Sequence, residues 1–78
     1  MRFTEDYLNG TYTAEYTRAI SSAGITLTPA EEATLAEGIG MAAESGAKLD
    51  WVDKAVMIRE MRDHIAVNIS LWLEARGE

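Results

Sequence analysis

The sequence predicts an all-α fold: a small helical bundle of two to three short N-terminal helices packed on one long C-terminal helix. Three observations carry that expectation. Thr28-Pro29-Ala30-Glu31 is a complete helix-start signal. The run from Asp50 to Ala75 repeats apolar residues at helical spacing and meets no Gly or Pro before Gly77. Upstream, Phe3, Tyr7, Leu8, Tyr12, Tyr16, Ala19, Ile20 and Ala23 fit a helical stripe that stops at Gly24. No repeat or linker divides the chain, so residues 1–78 read as a single domain.

At the N-terminus Thr4 suits an N-cap, with Glu5 and Asp6 complementing the dipole of the first turn. Asn9-Gly10 complicates this segment, because that pair is a strong short-range hairpin signal. The preferred reading is two helical pieces broken at Asn9-Gly10, the second running from Thr13 to Ala23. The alternative is an N-terminal β-hairpin around Asn9-Gly10, which would set Tyr7 opposite Tyr12 and Phe3 opposite Tyr16. Ile25-Thr26-Leu27 follows as a short extended connector.

In the second element Thr28 is the expected N-cap, Pro29 the first helical residue and Glu31 the partner that completes a capping box. Ala33, Leu35, Ala36, Ile39, Ala42 and Ala43 continue the helix, and Gly46 is the expected left-handed stop. Gly38 and Gly40 lie in its interior, each costing about 1 kcal/mol relative to Ala. With Ala36, Ala42 and Ala43 they form a side of little bulk. The expected use is close approach of a neighbouring helix. The alternative is a groove or hinge where a ligand meets backbone.

Asp50 is the expected N-cap of the third element, with Asp53 in its first turn. Steps of 100° per residue separate two apolar sets on this helix. Trp51, Ala55, Ile58, Met61, Ile65, Ala66, Ile69, Trp72 and Leu73 form a broad core stripe. Val52, Val56, Val67 and Leu71 lie roughly opposite, with Met57 at their edge and Glu60, Asp63 and Glu74 among them. A helix of a small monomer needs one apolar stripe, so the second must meet another chain or the N-terminal segment.

Composition narrows the classes of function. Thirteen acidic against seven basic residues give a net charge of -6, which disfavours direct nucleic-acid binding and a polybasic membrane contact. The absence of cysteine rules out disulfides and Cys-based zinc sites, and one histidine cannot anchor a His-rich metal centre. No metal or other cofactor is expected. The start Met1-Arg2-Phe3-Thr4-Glu5-Asp6 turns acidic at once and lacks an apolar signal region. No segment approaches the roughly 20 apolar residues that span a bilayer, so a cytoplasmic protein is expected. A chain of 78 residues has a small core, and oligomerisation is one of the few supports open to it.

Candidate chemistry is sparse. His64 stands next to Asp63, but sequence neighbours point about 100° apart on a helix, so they form no dyad; Glu60, one turn back, is the better partner. No Ser or Cys is spaced to make His64 the base for a nucleophile, and no catalytic residue is assigned. Glu31 and Glu32 are explained by the start of their helix. Arg62 intrudes between Ile58 and Ile65 in the core stripe and must snorkel, pair with a carboxylate from the first or second helix, or hold an anion. Asn68, beside the same stripe, is suited to setting helix register.

The expected function is non-catalytic protein binding with self-association as a homodimer, through an interface of Val52, Val56, Glu60, Asp63, Val67 and Leu71. In size, acidity and lack of cysteine the chain is similar to phage-encoded counter-defence inhibitors, anti-CRISPR proteins among them. That similarity of composition implies an inhibitor docking on the basic surface of a nucleic-acid-handling host protein. A third expectation is a binder of small anionic ligands built from Tyr12, Tyr16, Arg59 and Arg62.

Overall fold

The computed structural model describes residues 2–50 and 53–77 of the chain. Three helices follow one another: α1 (Glu5–Ala23), α2 (Pro29–Ala47) and α3 (Lys54–Ala75). Among the described residues there is no strand. None of the helices is long and apolar enough to cross a membrane.

Side-chain caps start all three helices. The Thr4 hydroxyl accepts from the Tyr7 N–H at 3.1 Å. Thr28 and Glu31 form the expected capping box, with Glu31 N–H to Thr28 Oγ1 at 3.2 Å and Thr28 N–H to Glu31 Oε1 at 3.0 Å. Gly24 ends α1 at φ 69°, a left-handed conformation that favours glycine, and its N–H reaches back to Ile20 and Ser21.

Several boundaries differ from the sequence reading. α1 runs without a break through Asn9-Gly10, so neither the two-piece helix nor the hairpin forms. A continuous helix keeps Leu8, Tyr12 and Tyr16 four residues apart on one face, whereas an isolated hairpin is marginal. Thr11, Thr13 and Thr17 also return their hydroxyls to the carbonyls four residues back, at 2.8–2.9 Å. α2 runs past Gly46 to Ala47, with right-handed Lys48 as its cap. Asp53, and not Asp50, is the N-cap of α3, its carboxylate accepting from the Ala55 N–H at 2.7 Å. Trp51 and Val52 lie outside the described residues.

The three helices are of similar length, 19, 19 and 22 residues, and the hub is α1 rather than the C-terminal helix. α1 packs against both of the others, while no Cα of α2 comes within 8 Å of a Cα of α3. Leu8 of α1 meets Ala43 of α2 and Met57 and Met61 of α3 in one cluster. Tyr16 meets Ile25, Ile39, Ile65 and Ile69 in the other. Half-buried Tyr12 touches both clusters. These pairings make α1 and α3 parallel to one another and α2 antiparallel to both.

The face that α3 buries is rotated from the expected one. Met57 is 0 % exposed at the centre of a cluster, not at the edge of a second stripe. Met61, Ile65 and Ile69 are buried as expected, but Ala55 and Ala66 are exposed. The two long methionines reach α1 where an alanine would leave a void. The result is an open layer rather than a closed bundle. Its radius of gyration is 12.9 Å, against about 11.5 Å for a compact domain of this length.

Candidate functional site

With α1 covering its Met57–Ile69 side, α3 turns Val67 and Leu71 to solvent, at 59 % and 55 % exposure. The tyrosine-bearing N-terminal segment therefore does not cover them. Of the other expected interface residues, Glu60 and Asp63 are exposed and Val56 is half-buried. Val52 lies outside the described residues. Asp63 borders a shallow hollow with Ala55, Ile58, Arg59 and Arg62, whereas Glu60 faces the α2 side with Tyr12, Met57 and His64. The expected interface is thus split between two aspects of α3.

The α2 side contains the more developed feature. Because α2 and α3 splay apart over α1, a groove runs between them. Its central hollow, about 230 Å³, has Tyr12, Tyr16 and Ile39 as floor. Gly38 and Ala42 form the α2 wall, and His64, Asn68 and Trp72 form the α3 wall. A second hollow of about 310 Å³ shares Tyr12, Ala42 and His64 with it and continues to Ser45, Gly46 and Leu49. A third, about 190 Å³, shares Thr34 and Trp72 and continues to Ala30 and Glu31. At that end Arg76 ties α3 to α2, bonding Glu31 Oε1 at 2.6 Å and the Thr26 carbonyl at 3.3 Å. Arg76 holds the Glu31 carboxyl below its usual range, with the Thr28 cap adding to the effect.

The small residues of α2 divide between two settings. Ala43 is buried against Leu8, Met57 and Met61, as close helix packing requires. A Cβ built on Gly38 or Gly40 meets nothing within 4 Å, so that part of the helix borders open space. Two further exposed apolar residues belong to the same region. Leu49 is 52 % exposed and lines the groove, and Met41 is 63 % exposed, three residues from Gly38 and four from Ser45. On the facing wall Val67 follows His64 by three residues, and Leu71 follows Asn68 by three. Such spacings place neighbours on one helix flank. Sequence reasoning missed Met41 and Leu49. The available signal was an exposed-length side chain set among the small residues of α2.

Polar groups order the α3 wall. Asn68 Nδ2 donates to the Tyr16 hydroxyl at 2.7 Å and lies 3.4 Å from His64 Nε2. Asn68 thus registers α3 on α1, in the role expected for it. Burial, reinforced by nearby Tyr16 and Glu60, holds the Tyr12 phenol above its ordinary range. His64 lies beside Glu60 in the groove lining, but its ring nitrogen approaches Asn68 and makes no hydrogen bond to Glu60.

On the opposite flank of α3 a charge pair ties the helices together beside an open hollow of about 350 Å³, lined by Glu15, Arg18, Ala19, Ser22, Arg62, Ile65 and Ala66. Arg62 donates from Nε to Glu15 Oε2 at 3.0 Å and from Nη2 to Glu15 Oε1 at 3.3 Å, and Arg18 adds a contact to Oε1 at 3.1 Å. The Arg62 hydrogen bonds hold the Glu15 carboxyl below its usual range against the opposing effect of burial. The intrusive arginine is thus paired with an acid of the first helix. Arg59 and Arg62 line a hollow on that side, and Tyr12 and Tyr16 line the groove. The four residues of the anionic-ligand expectation are not brought together. Among the described residues no group of His, Cys, Asp and Glu is arranged to hold a metal ion.

Comparison with protein-family models, curated proteins and solved structures finds no match to this chain.

Proposed function

We propose that this chain is a non-catalytic protein-interaction module that receives another macromolecule along the α2–α3 groove and the adjoining flank of α3. The observation that carries the reading is a clustering. Leu49 lines the groove, and Met41, Val67 and Leu71, also among the most exposed large hydrophobics, each lie one helical turn from a residue that lines it. Scattered exposed apolar residues are ordinary on a small protein, but a contiguous set beside a concave surface is the usual mark of a docking site. A partner seated there would bury the side chains that α1 leaves uncovered. A second copy of the chain, which carries the same stripe, is one partner that the test must include.

The test compares the wild-type chain with Leu71→Glu, each immobilised and exposed both to its own soluble copy and to lysate of the cells that encode it. Leu71 is exposed, so the substitution should change stability by no more than about 0.5 kcal/mol. Retention of a partner by the wild type and its loss on Leu71→Glu is the expected result. Equal retention by both chains would remove the groove from the function.

A further inference from the structure

We infer that the natural occupant of the α2–α3 groove is a basic amphipathic α-helix of another protein rather than a second copy of this chain. The inference rests on the interaction-module reading and adds the shape and charge of the partner.

Shape comes first. The two walls are antiparallel helices with their backbones held apart, and the hollows between them join end to end through shared residues. Along α2 the lining runs from Ala30 to Leu49, about 28 Å at 1.5 Å per residue, the length of a five-turn helix. Gly38, Ala42 and Ser45 keep that wall low, so an incoming helix can approach until its large apolar side chains reach Tyr12 and Tyr16. An open layer with two outer helices splayed over a central one is the shape that a fourth helix completes. Leu49, Met41, Val67 and Leu71 are then available to the flanks of its apolar stripe, as in helix-in-groove recognition.

Charge decides between occupants. Glu60 lines the groove beside Tyr12 and His64 and has no ion pair among the described residues. The cations at the groove's ends are already engaged, Arg76 with Glu31 and Lys48 with Glu44 at 3.8 Å. A second copy would bring another chain of net charge -6 to this face. Like charge opposes that approach, whereas Lys or Arg beside an apolar stripe would meet Glu60 and the overall negative field.

The test uses two synthetic 18-residue helical peptides with the same leucine stripe, one with lysine and one with glutamate on the flanking positions. Binding to the intact chain is read by fluorescence anisotropy at low and high salt. The lysine peptide should bind, more weakly as salt rises, and the glutamate peptide should not. Gly38→Leu and Ala42→Leu, which raise the low wall, should weaken binding by on the order of tenfold or more, while Ala14→Leu on exposed α1 surface should not. Glu60→Gln should weaken the lysine peptide by about 2- to 5-fold. Circular dichroism melts verify that each variant is folded. Equal binding of both peptides, still blocked by Gly38→Leu, would overturn the charge inference while leaving the groove as a docking site. Failure of both peptides, with self-association that Leu71→Glu abolishes, would make a second copy the occupant and overturn the inference. Failure of both peptides with no self-association would remove the docking reading as well.

Discussion

On the Arg62 flank of α3 the chain supplies its own partner, whereas on the His64 flank it stops short of one. The first seam brings a cation of α3 against a carboxylate of α1, with two guanidinium nitrogens and both carboxylate oxygens in use. The second seam has a floor of tyrosines and two walls whose Cα atoms stay more than 8 Å apart. Both flanks belong to one helix, and both begin at buried residues spaced three or four apart. The difference lies in what stands opposite. Glu15 projects from the hub helix within reach of Arg62, while Gly38 and Ala42 offer His64 and Asn68 no side chain long enough to span the gap. A polar residue near a core thus ties one edge together, and missing bulk leaves the other without such a tie at its centre.

Three substitutions test this contrast. The largest effect is expected where both flanks depend on the same support. Leu8 is 0 % exposed among Ala43, Met57 and Met61, and Leu8→Ala should cost about 2–5 kcal/mol in urea unfolding. A loss below 1 kcal/mol would mean that the α1 hub does not hold the two outer helices.

A smaller loss, dependent on pH, is expected at the ion-paired flank. Arg62 lowers the Glu15 pKa in the folded state, so this stabilisation is fully present above the unfolded value near 4.5. It is lost as pH falls through the lowered folded value. Glu15→Gln should therefore melt below wild type at pH 7, and the gap should narrow as pH drops below about 4.5. A gap that is constant from pH 7 to pH 3 would show that the pairing contributes through packing alone.

The smallest effect, and the opposite sign, is expected at the open flank. Gly38 has right-handed helical geometry and space for a Cβ, so Gly38→Ala should stabilise the chain by about 0.5–1 kcal/mol. Destabilisation would mean that another element approaches α2 there in solution, as a packing seam requires. The same measurement therefore distinguishes a groove from a seam.

Part of this architecture is legible residue by residue. Thr4, Thr28, Glu31 and Gly24 act over one helical turn, through hydrogen bonds to backbone groups three or four residues away. Such signals need no knowledge of the rest of the chain. Asp53 shows their weakness, because it caps α3 where Asp50, three residues earlier, was the expected cap. Asn9-Gly10 shows another: a turn signal gave way to the packing of Leu8, Tyr12 and Tyr16 on two neighbouring helices. For the candidate site, Val67 and Leu71 were visible as an unclaimed stripe. Met41 and Leu49 were not, since their relevance depends on a second helix across a gap.

By itself, then, the sequence determined that the chain is helical, where most of its helices begin, and that Arg62 must snorkel, pair with an acid or hold an anion. These follow from periodicity and from the cost of an unpaired charge near a core. Tertiary structure alone decided that α1 is the hub, that Met57 faces inward, and that Gly38 borders space instead of a neighbour. The physical reason is that a helical pattern specifies a face and leaves open which helix meets it. Depth of packing depends on side-chain lengths from three segments at once, and that sum sets whether two helices touch or leave a groove.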